Sequence, residues 1–443
     1  MSWINNSWKC YIKAFSALFT AVLLTVASAQ TEPPEPVVTE LGSGGTQITF
    51  WNGLSGSDGV TLNAMLEQFV AENPDVSVRT EIIDWGTLYP KLQAAFVAGD
   101  PPDVFVLHAS EIPQFQSLGV LKPLDYLYDT NGGSLPAADF AQPGFDGVQV
   151  DGVPYGVLLD NHGRGTWANL GLFEAAGVEP IMPDNYEDLI AMLQSLTLDA
   201  NGNNAASPDF DPANVVQWGT AQEWPYVDFE GYLWQHGGAI MSEDGTTATV
   251  NSEEAIAALQ KMYDMTYKYN VAPPFAGFDS WQSWAGGKVA IVPSGTWFRN
   301  FAADQADIEW AALPFFQTGE QPSTWFGAHT FMLPASAEGA ELEAAERMIA
   351  WVSDNQELWA ASGQVPARIS AQKALDPETF PSNITLGETF QQYGKMSAPS
   401  IAILEIQAAL DPELGAALNN DKSVEQALND ANARIQQILD RIQ

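Results

Sequence analysis

Tryptophans at predicted strand ends are the side chains of this sequence that point most directly to binding chemistry. The chain has 15 tryptophans, and Trp51, Trp85 and Trp297 each follow a short apolar stretch typical of a strand. Ligands of open α/β sheets bind beyond the carboxyl ends of the strands. An indole in that position offers a flat apolar face to the C–H side of a sugar ring, and polar neighbours such as Asn52 can bond to the hydroxyls.

Histidines and carboxylates give weaker signals. No two of the four histidines have the spacing of metal ligands on one helix: His108, His162, His236 and His329. We therefore predict no metal site and no cofactor. The sequence has no phosphate-binding loop, dinucleotide fingerprint or nucleophile elbow. Because the chain carries 55 Asp and Glu residues, the sequence does not exclude a pair of carboxylates that hydrolyses glycosidic bonds.

The amino-terminal residues have the pattern of an export signal. Two lysines precede an apolar run over 14–27, and small residues follow as far as Ala29. The run is too short to span a bilayer, so we predict a signal peptide over 1–29 and a periplasmic or secreted protein. The single cysteine, Cys10, lies in this segment, which excludes thiol catalysis and a lipid anchor in the mature chain.

Composition favours a large soluble protein. The chain has 443 residues, is 46% hydrophobic and carries a formal net charge of −38. A chain of this length usually forms more than one hydrophobic core. The negative charge argues against nucleic acid and anionic membrane surfaces as partners, because both repel acidic side chains.

Strand and helix patterns alternate after a predicted flexible linker over 30–46, which is rich in proline and glycine. Alternating apolar residues over 48–50 and 76–82 and a continuous apolar run over 104–107 predict three strands, separated by two segments with helical spacing. This βαβαβ order predicts an α/β fold with a mostly parallel sheet. A capping pattern at Ser423 predicts a final helix.

Several short motifs occur in a fixed order over most of the chain. They are Ile48–Trp51, Phe69–Pro74, Gly99–Phe105, Leu118–Leu124, Gly286–Trp297 and Gly363–Arg368. In this order the sequence resembles the extracellular solute-binding proteins, family 1, of ABC-type sugar importers, the group that includes maltose-binding protein. The resemblance extends over residues 47–443.

The resemblance implies a two-lobed α/β periplasmic-binding-protein fold, with a hinge between the lobes and the ligand cleft at their interface. Lobe one would hold 47–160 and 332–378, and lobe two 161–331 and 379–443. It also implies a monomer that binds a mono- or oligosaccharide and closes by hinge bending. Such a protein is not an enzyme, and it delivers its ligand to the membrane permease of an ABC importer.

The resemblance also assigns candidate ligand-binding residues. Trp297 matches the ligand-stacking aromatic that follows the Gly-Lys strand of the family. The other candidates lie at strand ends, in an acidic-aromatic segment of lobe two, or beside the chain crossings: Trp51, Asn52, Trp85, His108, Glu111, Glu223, Trp224, Tyr226, Trp325, His329 and Arg368. For His329 and Arg368 a purely structural role is an equal expectation.

Three other functions fit the same sequence. A polyamine or another cationic ligand would also use tryptophans, with Asp84, Glu111 and Glu223 to pair with its amines. A secreted glycoside hydrolase would need two carboxyls that face each other across the cleft. A partner of a membrane receptor, in place of an importer subunit, would leave no motif.

Overall fold

The computed structural model describes residues 36–443. The predicted signal peptide over 1–29, its cleavage site and the first part of the predicted linker lie outside the described residues. Within 36–443, no helix combines the length and the apolar character that crossing a membrane requires.

Strands and helices alternate along the described chain. The strands are β1 (Val37–Leu41), β2 (Thr46–Asn52), β3 (Val76–Ile82), β4 (Val104–His108), β5 (Gln149–Val150), β6 (Val153–Pro154), β7 (Gly156–Leu158), β8 (Asp160–Asn169), β9 (Leu198–Asp199), β10 (Val215–Thr220), β11 (Val289–Gly295), β12 (Trp310–Leu313), β13 (Thr324–Gly327), β14 (His329–Met332), β15 (Val365–Pro366) and β16 (Gly394–Lys395). The helices are α1 (Ser57–Glu72), α2 (Trp85–Ala98), α3 (Ile112–Ser117), α4 (Gln142–Gly147), α5 (Leu170–Ala176), α6 (Tyr186–Ser195), α7 (Pro225–Gln235), α8 (Glu253–Tyr267), α9 (Ser280–Ala285), α10 (Phe298–Ala303), α11 (Gly339–Asp354), α12 (Gln356–Trp359), α13 (Ile369–Ala374), α14 (Pro381–Tyr393), α15 (Ile403–Leu418) and α16 (Val424–Ile442).

The first sheet forms the core of one lobe, which we call lobe one. Its strand order is β1-β3-β2-β4-β14-β7. β2 runs parallel to both β3 and β4, and α1 and α2 make the connections, as the βαβαβ pattern predicted. Large apolar side chains such as Phe50, Phe105 and Phe331 lie in its buried core. Val104–Leu107 of β4 are all buried, which explains the continuous apolar run in the sequence, whereas β2 is buried at alternate residues.

The prediction of a flexible linker is wrong for Val37–Leu41. These residues form β1, which pairs antiparallel with β3 along its full length at the edge of the sheet. The β-branched residues Val37 and Val38 favour extended backbone. The proline and glycine residues on either side hid this strand in the composition of the segment.

The second sheet forms the core of lobe two. Its strand order is β16-β13-β8-β11-β10-β9, and β12 also pairs with β8. Helices α7, α8, α15 and α16 contribute the apolar residues that pack in this lobe. The predicted final helix is confirmed as α16, and the Ser423 hydroxyl accepts a hydrogen bond from the N–H of Gln426 at 3.2 Å to cap it.

Strand β8 begins where the two lobes meet. Its first residues pair with β15, with Asp160 opposite Pro366, and with β13, with Gly163 opposite Phe326. All 10 residues of β8 are buried. The chain returns through β13 to β14, which pairs with β4 and β7, so residues 329–331 lie in the sheet of lobe one and not in lobe two as predicted. The predicted two-lobed α/β fold is therefore confirmed, and β8, β13 and β14 lie at its hinge.

Candidate functional site

Aromatic rings from both lobes form a continuous row across the junction. Trp85, at the start of α2 in lobe one, lies parallel to His329, with ring centroids 5.4 Å apart and 7° between the planes. The ring of His329 lies 4.1 Å from that of His162 on β8, which in turn lies 6.2 Å from Trp297 of lobe two. Trp325 flanks the row, 5.6 Å from His162. The structure thus brings together the predicted residues Trp85, Trp297, Trp325 and His329.

Asp160 fixes the centre of this row. Asp160, His162 and Arg164 alternate along β8, so their side chains share one face of the strand. The Asp160 carboxylate accepts hydrogen bonds from Nδ1 of His162 at 3.0 Å and from Nδ1 of His329 at 2.8 Å. It also accepts the indole N–H of Trp359 at 2.9 Å. One buried carboxylate therefore orients two rings of the row.

Burial determines the charge state of this cluster. Burial lowers the pKa of His162 to about 4, and the neighbouring His329 adds to the effect. Burial and the other two imidazoles hold the pKa of His108 well below its usual value. Burial by itself would raise the pKa of Asp160, but the two imidazoles outweigh it and hold that pKa well below its usual range. At neutral pH the junction therefore contains neutral His108 and His162 beside an ionised carboxylate.

Trp85, His108 and His329 form one side of the junction, which we call the lobe-one wall. The ring of His108 lies 4.2 Å from that of Trp85 and 4.9 Å from that of His329. The Tyr89 hydroxyl bonds to Nδ1 of His108. Gly53 lies against the indole of Trp85, because a Cβ at this position would be 2.1 Å from the ring. These contacts lie within lobe one, and Asp160 at the start of β8 adds a hydrogen bond to His329.

Trp224 and Trp297 form the opposite side, which we call the lobe-two wall. Their ring centroids are 5.1 Å apart. Gly295 lies against Trp297, since a Cβ there would be 2.2 Å from the indole. The guanidinium carbon of the fully buried Arg164 lies 5.9 Å from the centroid of Trp297. A cation therefore supports this wall at the ring of Trp297.

A buried ion pair anchors the lobe-two wall. Arg164 donates two hydrogen bonds to the carboxylate of Asp228, at 2.6 and 3.0 Å, and one to the carbonyl of Pro293 at 2.7 Å. The predicted site residue Glu223 accepts the indole N–H of Trp281 at 2.6 Å and lies 3.5 Å from Arg164. Two-pronged arginine–carboxylate pairs fix geometry as well as charge, so this network holds Glu223 in place.

Trp224 combines exposure with an unusual backbone conformation. Its φ of 44° and ψ of 71° are left-handed, and 54% of the residue is exposed. A non-glycine residue in this conformation costs about 1–2 kcal/mol, and the exposed indole gains little from burial. Both features are typical of side chains at functional sites, where strain is retained for contact with a partner.

Glu111 and Tyr226 belong to a second buried polar cluster beside the row. Glu111 lies 3.9 Å from Nδ1 of His108, and burial raises the pKa of Glu111 to about 7. Glu230 accepts a hydrogen bond from the Ser397 hydroxyl at 2.5 Å, and burial raises the pKa of Glu230 to about 8. Burial, with the carboxyls of Glu230 and Glu111, raises the pKa of Tyr226 well above its usual value. Lobe one and lobe two both contribute to this cluster.

Two predicted contacts at the end of β2 have other partners within lobe one. The ammonium group of Lys91 lies 4.1 Å from the ring centroid of Trp51. Asn52 is buried, donates to the Thr80 hydroxyl at 3.3 Å and accepts the N–H of Leu54 at 3.1 Å. The structure therefore does not bring Trp51 and Asn52 into the row of rings.

Arg368 is also placed apart from the row. Its Nε donates to Asp139 at 2.6 Å, and one of its terminal nitrogens donates to the Ser353 hydroxyl at 3.1 Å. The guanidinium carbon lies 5.4 Å from the ring centroid of Phe140. These contacts agree with the structural role that was one of the two expectations for this residue.

Several residues that organise the site were not assigned to it from the sequence: Asp160, His162, Arg164 and Asp228. The sequence did contain a pattern for Asp160, His162 and Arg164. They occupy every second position of one strand, and residues with that spacing share one face. Asp228 carries no local signal, since it pairs with Arg164 across 64 residues of chain.

Comparison with known proteins shows which family this sequence matches. The sequence pattern of the bacterial extracellular solute-binding proteins matches residues 53–357. A putative binding protein of Brucella abortus (strain 2308) is 24% identical over 275 residues, which cover 60% of this chain and 62% of that protein. An uncharacterized ABC transporter extracellular-binding protein of Pyrococcus horikoshii is 22% identical over 346 residues, covering 74% and 71%. The chain thus spans less than two thirds of the length of the Brucella relative.

Solved structures share the fold over most of the chain. An ABC substrate-binding protein from Listeria monocytogenes in complex with cycloalternan has a TM-score of 0.76 and 24% identity, covering 89% of this chain and 99% of that chain. Maltose-bound MalE3 from T. maritima has a TM-score of 0.74 and 21% identity, covering 88% and 99%. Because the family pattern extends over most of the folded residues, this chain belongs to the bacterial extracellular solute-binding proteins.

Proposed function

We propose that this protein captures a mono- or oligosaccharide outside the cytoplasm and delivers it to the membrane permease of an ABC importer. The observation that carries the proposal is the row of rings that joins Trp85 and His329 of lobe one to Trp297 of lobe two through His162. A ligand held between the two walls contacts both lobes only when the lobes are closed together. Ligand binding therefore stabilises the closed form by hinge bending.

Sugar chemistry suits these walls. A pyranose ring has an apolar C–H face for the indoles, and hydroxyls for neutral imidazoles and carboxylates. Nδ1 of His162 donates to Asp160, so Nε2 of this neutral ring can accept a hydrogen bond from a hydroxyl, and His108 likewise has one ring nitrogen that is not bonded to Tyr89. The structural relatives described above are bound to cycloalternan and maltose, which supports an oligosaccharide as the ligand class.

The proposal includes no chemical step. Glu223 is already bonded to Trp281 and lies beside Arg164, and the Asp160 carboxylate is bonded to two histidines and an indole. These carboxylates support the walls through the bonds they already make. Turnover of aryl glycosides by the purified protein would overturn this part of the proposal.

A cationic ligand is the second candidate, and one observation favours it. Glu111 and Glu230 are buried, and among residues 36–443 neither forms an ion pair with a lysine or an arginine. An ammonium group of the ligand would ionise both carboxyls and supply the missing cation. The oligosaccharide remains the preferred class because it also explains the aromatic walls.

A ligand panel separates the two candidates. The protein is screened by thermal shift against maltose, maltotriose, mannotriose and spermidine, and the hits are titrated by calorimetry. We expect at least one sugar to raise the melting temperature in a concentration-dependent way and to bind one molecule per chain. Tight binding of spermidine without a signal from any sugar would replace the preferred ligand class by the second candidate.

Export is tested separately from binding. The predicted signal peptide over 1–29 implies that the mature protein begins at Gln30. Amino-terminal sequencing of the protein recovered outside the cytoplasm is expected to read from Gln30. Recovery of the full-length chain from the cytoplasm alone would contradict the proposed location.

A further inference from the structure

We propose that His108, His162 and His329 bind one divalent transition-metal ion of the zinc type at the junction of the lobes. Each histidine offers one ring nitrogen, and the three nitrogens all lie within 4.8 Å of one another. The ring centroids are 4.1, 4.9 and 5.3 Å apart. The three residues come from β4, β8 and β14, so only the folded chain brings them together.

Asp160 orients two of the three rings for this purpose. A carboxylate accepts hydrogen bonds and does not donate them, so the bonds at 3.0 and 2.8 Å place the protons of His162 and His329 on Nδ1. Nε2 is then the nitrogen of each ring that these bonds leave for a further partner. A carboxylate behind a ligating imidazole is the arrangement that fixes ring orientation and strengthens metal binding in zinc sites.

The remaining ring is held in a similar way. The Tyr89 hydroxyl bonds to Nδ1 of His108, which leaves Nε2 of His108 available. Nε2 of His162 faces residue 327, since it lies 2.7 Å from the position that a Cβ would occupy there, and Cη2 of Trp325 lies 3.1 Å from the same position. Because residue 327 is glycine, its own side chain does not press on this nitrogen. The bonds to Asp160 and Tyr89 thus use one nitrogen of each ring and leave the second without a partner among them.

Ligand type and geometry select the ion. Imidazole suits zinc, copper and nickel, whereas calcium and magnesium prefer oxygen ligands. In a tetrahedral zinc site with bonds of about 2.0–2.1 Å, neighbouring nitrogens lie about 3.4 Å apart. Because the nitrogens lie within 4.8 Å of one another, ring rotations that bring them closer by up to about 1.4 Å complete this geometry. Three protein ligands leave one position for water or for a hydroxyl oxygen of a bound ligand.

The location gives the ion a role in the proposed cleft. His329 is stacked on Trp85 of the lobe-one wall, and His162 lies beside Trp297 of the lobe-two wall. An ion between these rings touches the part of the cleft where both lobes meet. It would add a coordination bond to one ligand hydroxyl, a contact that depends on the position of that oxygen and so contributes to selectivity.

Calorimetry on the metal alone tests the site, because the chain supplies its own control. Untagged protein is dialysed against a chelator and then titrated with ZnCl2, without any sugar. We expect one zinc ion per chain, at least 100-fold weaker binding for His108→Ala, and unchanged binding for His236→Ala, the one other histidine of the sequence. No zinc binding by the wild-type protein, or equal binding by His108→Ala, would overturn the proposal.

A second measurement separates a metal site from histidines that simply pair with hydroxyls. Cobalt(II) bound by three nitrogens in tetrahedral geometry gives a visible absorption spectrum, which we expect from the wild-type protein and not from His108→Ala. Asp160→Asn is expected to weaken zinc binding 10- to 100-fold, the usual effect of removing a carboxylate behind a ligand. Melting curves without metal show whether each variant is folded, and a folded Asp160→Asn with wild-type affinity would count against the proposal.

Discussion

The two walls of the junction are held together by different interactions. The lobe-one wall consists of rings stacked on one another and fixed by hydrogen bonds to Tyr89 and Asp160. The lobe-two wall depends on the buried pair of Arg164 and Asp228. The first wall therefore rests on many short-range contacts, whereas the second depends on one pair of charges.

This difference predicts which wall loses more stability when one residue is substituted. Loss of the Trp85 ring from the lobe-one wall removes contact surface but leaves no buried charge without its partner. Loss of Arg164 leaves the carboxylate of Asp228 buried without its cation, which is costly in a low-dielectric interior. The lobe-two wall is therefore more sensitive to a single substitution.

Arg164→Met is expected to lower the free energy of unfolding by about 3–5 kcal/mol, the usual cost of breaking a buried ion pair. Urea unfolding monitored by tryptophan fluorescence measures the change. The matched control is Arg347→Met, because Arg347 pairs with Asp75 at 2.7 Å with side chains 44% and 60% exposed. Such exposed pairs contribute at most about 1 kcal/mol. Equal losses in the two variants would contradict the difference between the walls.

Glu230→Gln is expected to stabilise the protein in a pH-dependent way. Burial raises the pKa of Glu230 to about 8 in the folded chain, against about 4.3 in an unfolded chain. Between these values the unfolded chain has released a proton that the folded chain still holds, so stability falls as pH rises through this window and levels off above it. Glutamine does not titrate, so the Glu230→Gln protein does not lose this stability as pH rises.

The check on Glu230 is the difference between variant and wild type. Unfolding free energies at pH 4.5 and pH 8 should show the two proteins converging at the lower pH, where the carboxyl is protonated in the folded chain and still partly protonated in the unfolded chain. At pH 8 the variant should be more stable by on the order of a few kcal/mol. A difference that does not depend on pH would mean that Glu230 titrates normally.

Trp224→Gly and Trp224→Ala separate strain from contact in the lobe-two wall. Both remove the indole, but only glycine adopts the left-handed backbone of this residue without cost. We therefore expect the glycine variant to be more stable than the alanine variant by about 1 kcal/mol, with equal ligand affinity. Thermal melts and sugar titrations of both variants measure the two quantities. Equal stability would show that the backbone relaxes when the indole is removed.

Much of the fold was predictable because local patterns determine it. Alternation over 76–82 and the apolar run over 104–107 became β3 and β4, and the Ser423 cap became the start of α16. The sequence analysis did not predict the strand Val37–Leu41. The predicted linker over 30–46 was judged by its overall content of proline and glycine, and this average conceals a strand of five residues. Edge strands depend on pairing with a neighbour, which local sequence does not reveal.

The site was predictable only in part, for a related reason. The expectation that ligands bind beyond strand ends selected Trp85 and Trp297, and the fold places both in the row of rings. The same rule selected Trp51, whose ring is covered by Lys91 in the fold. Arg164 and Asp228 meet only in the tertiary structure, and no spacing in the sequence predicts such a pair.

Titration of matched tryptophan variants tests the central claim that the ligand contacts both walls. Trp85→Ala, Trp297→Ala and the control Trp51→Ala are titrated by calorimetry with maltotriose or with the panel sugar that binds most tightly. We predict a loss of about 1–3 kcal/mol of binding free energy for each of the two wall variants, from lost stacking and burial, and wild-type affinity for Trp51→Ala. An affinity that falls for only one wall, or that falls as far for Trp51→Ala, would contradict capture between the two lobes.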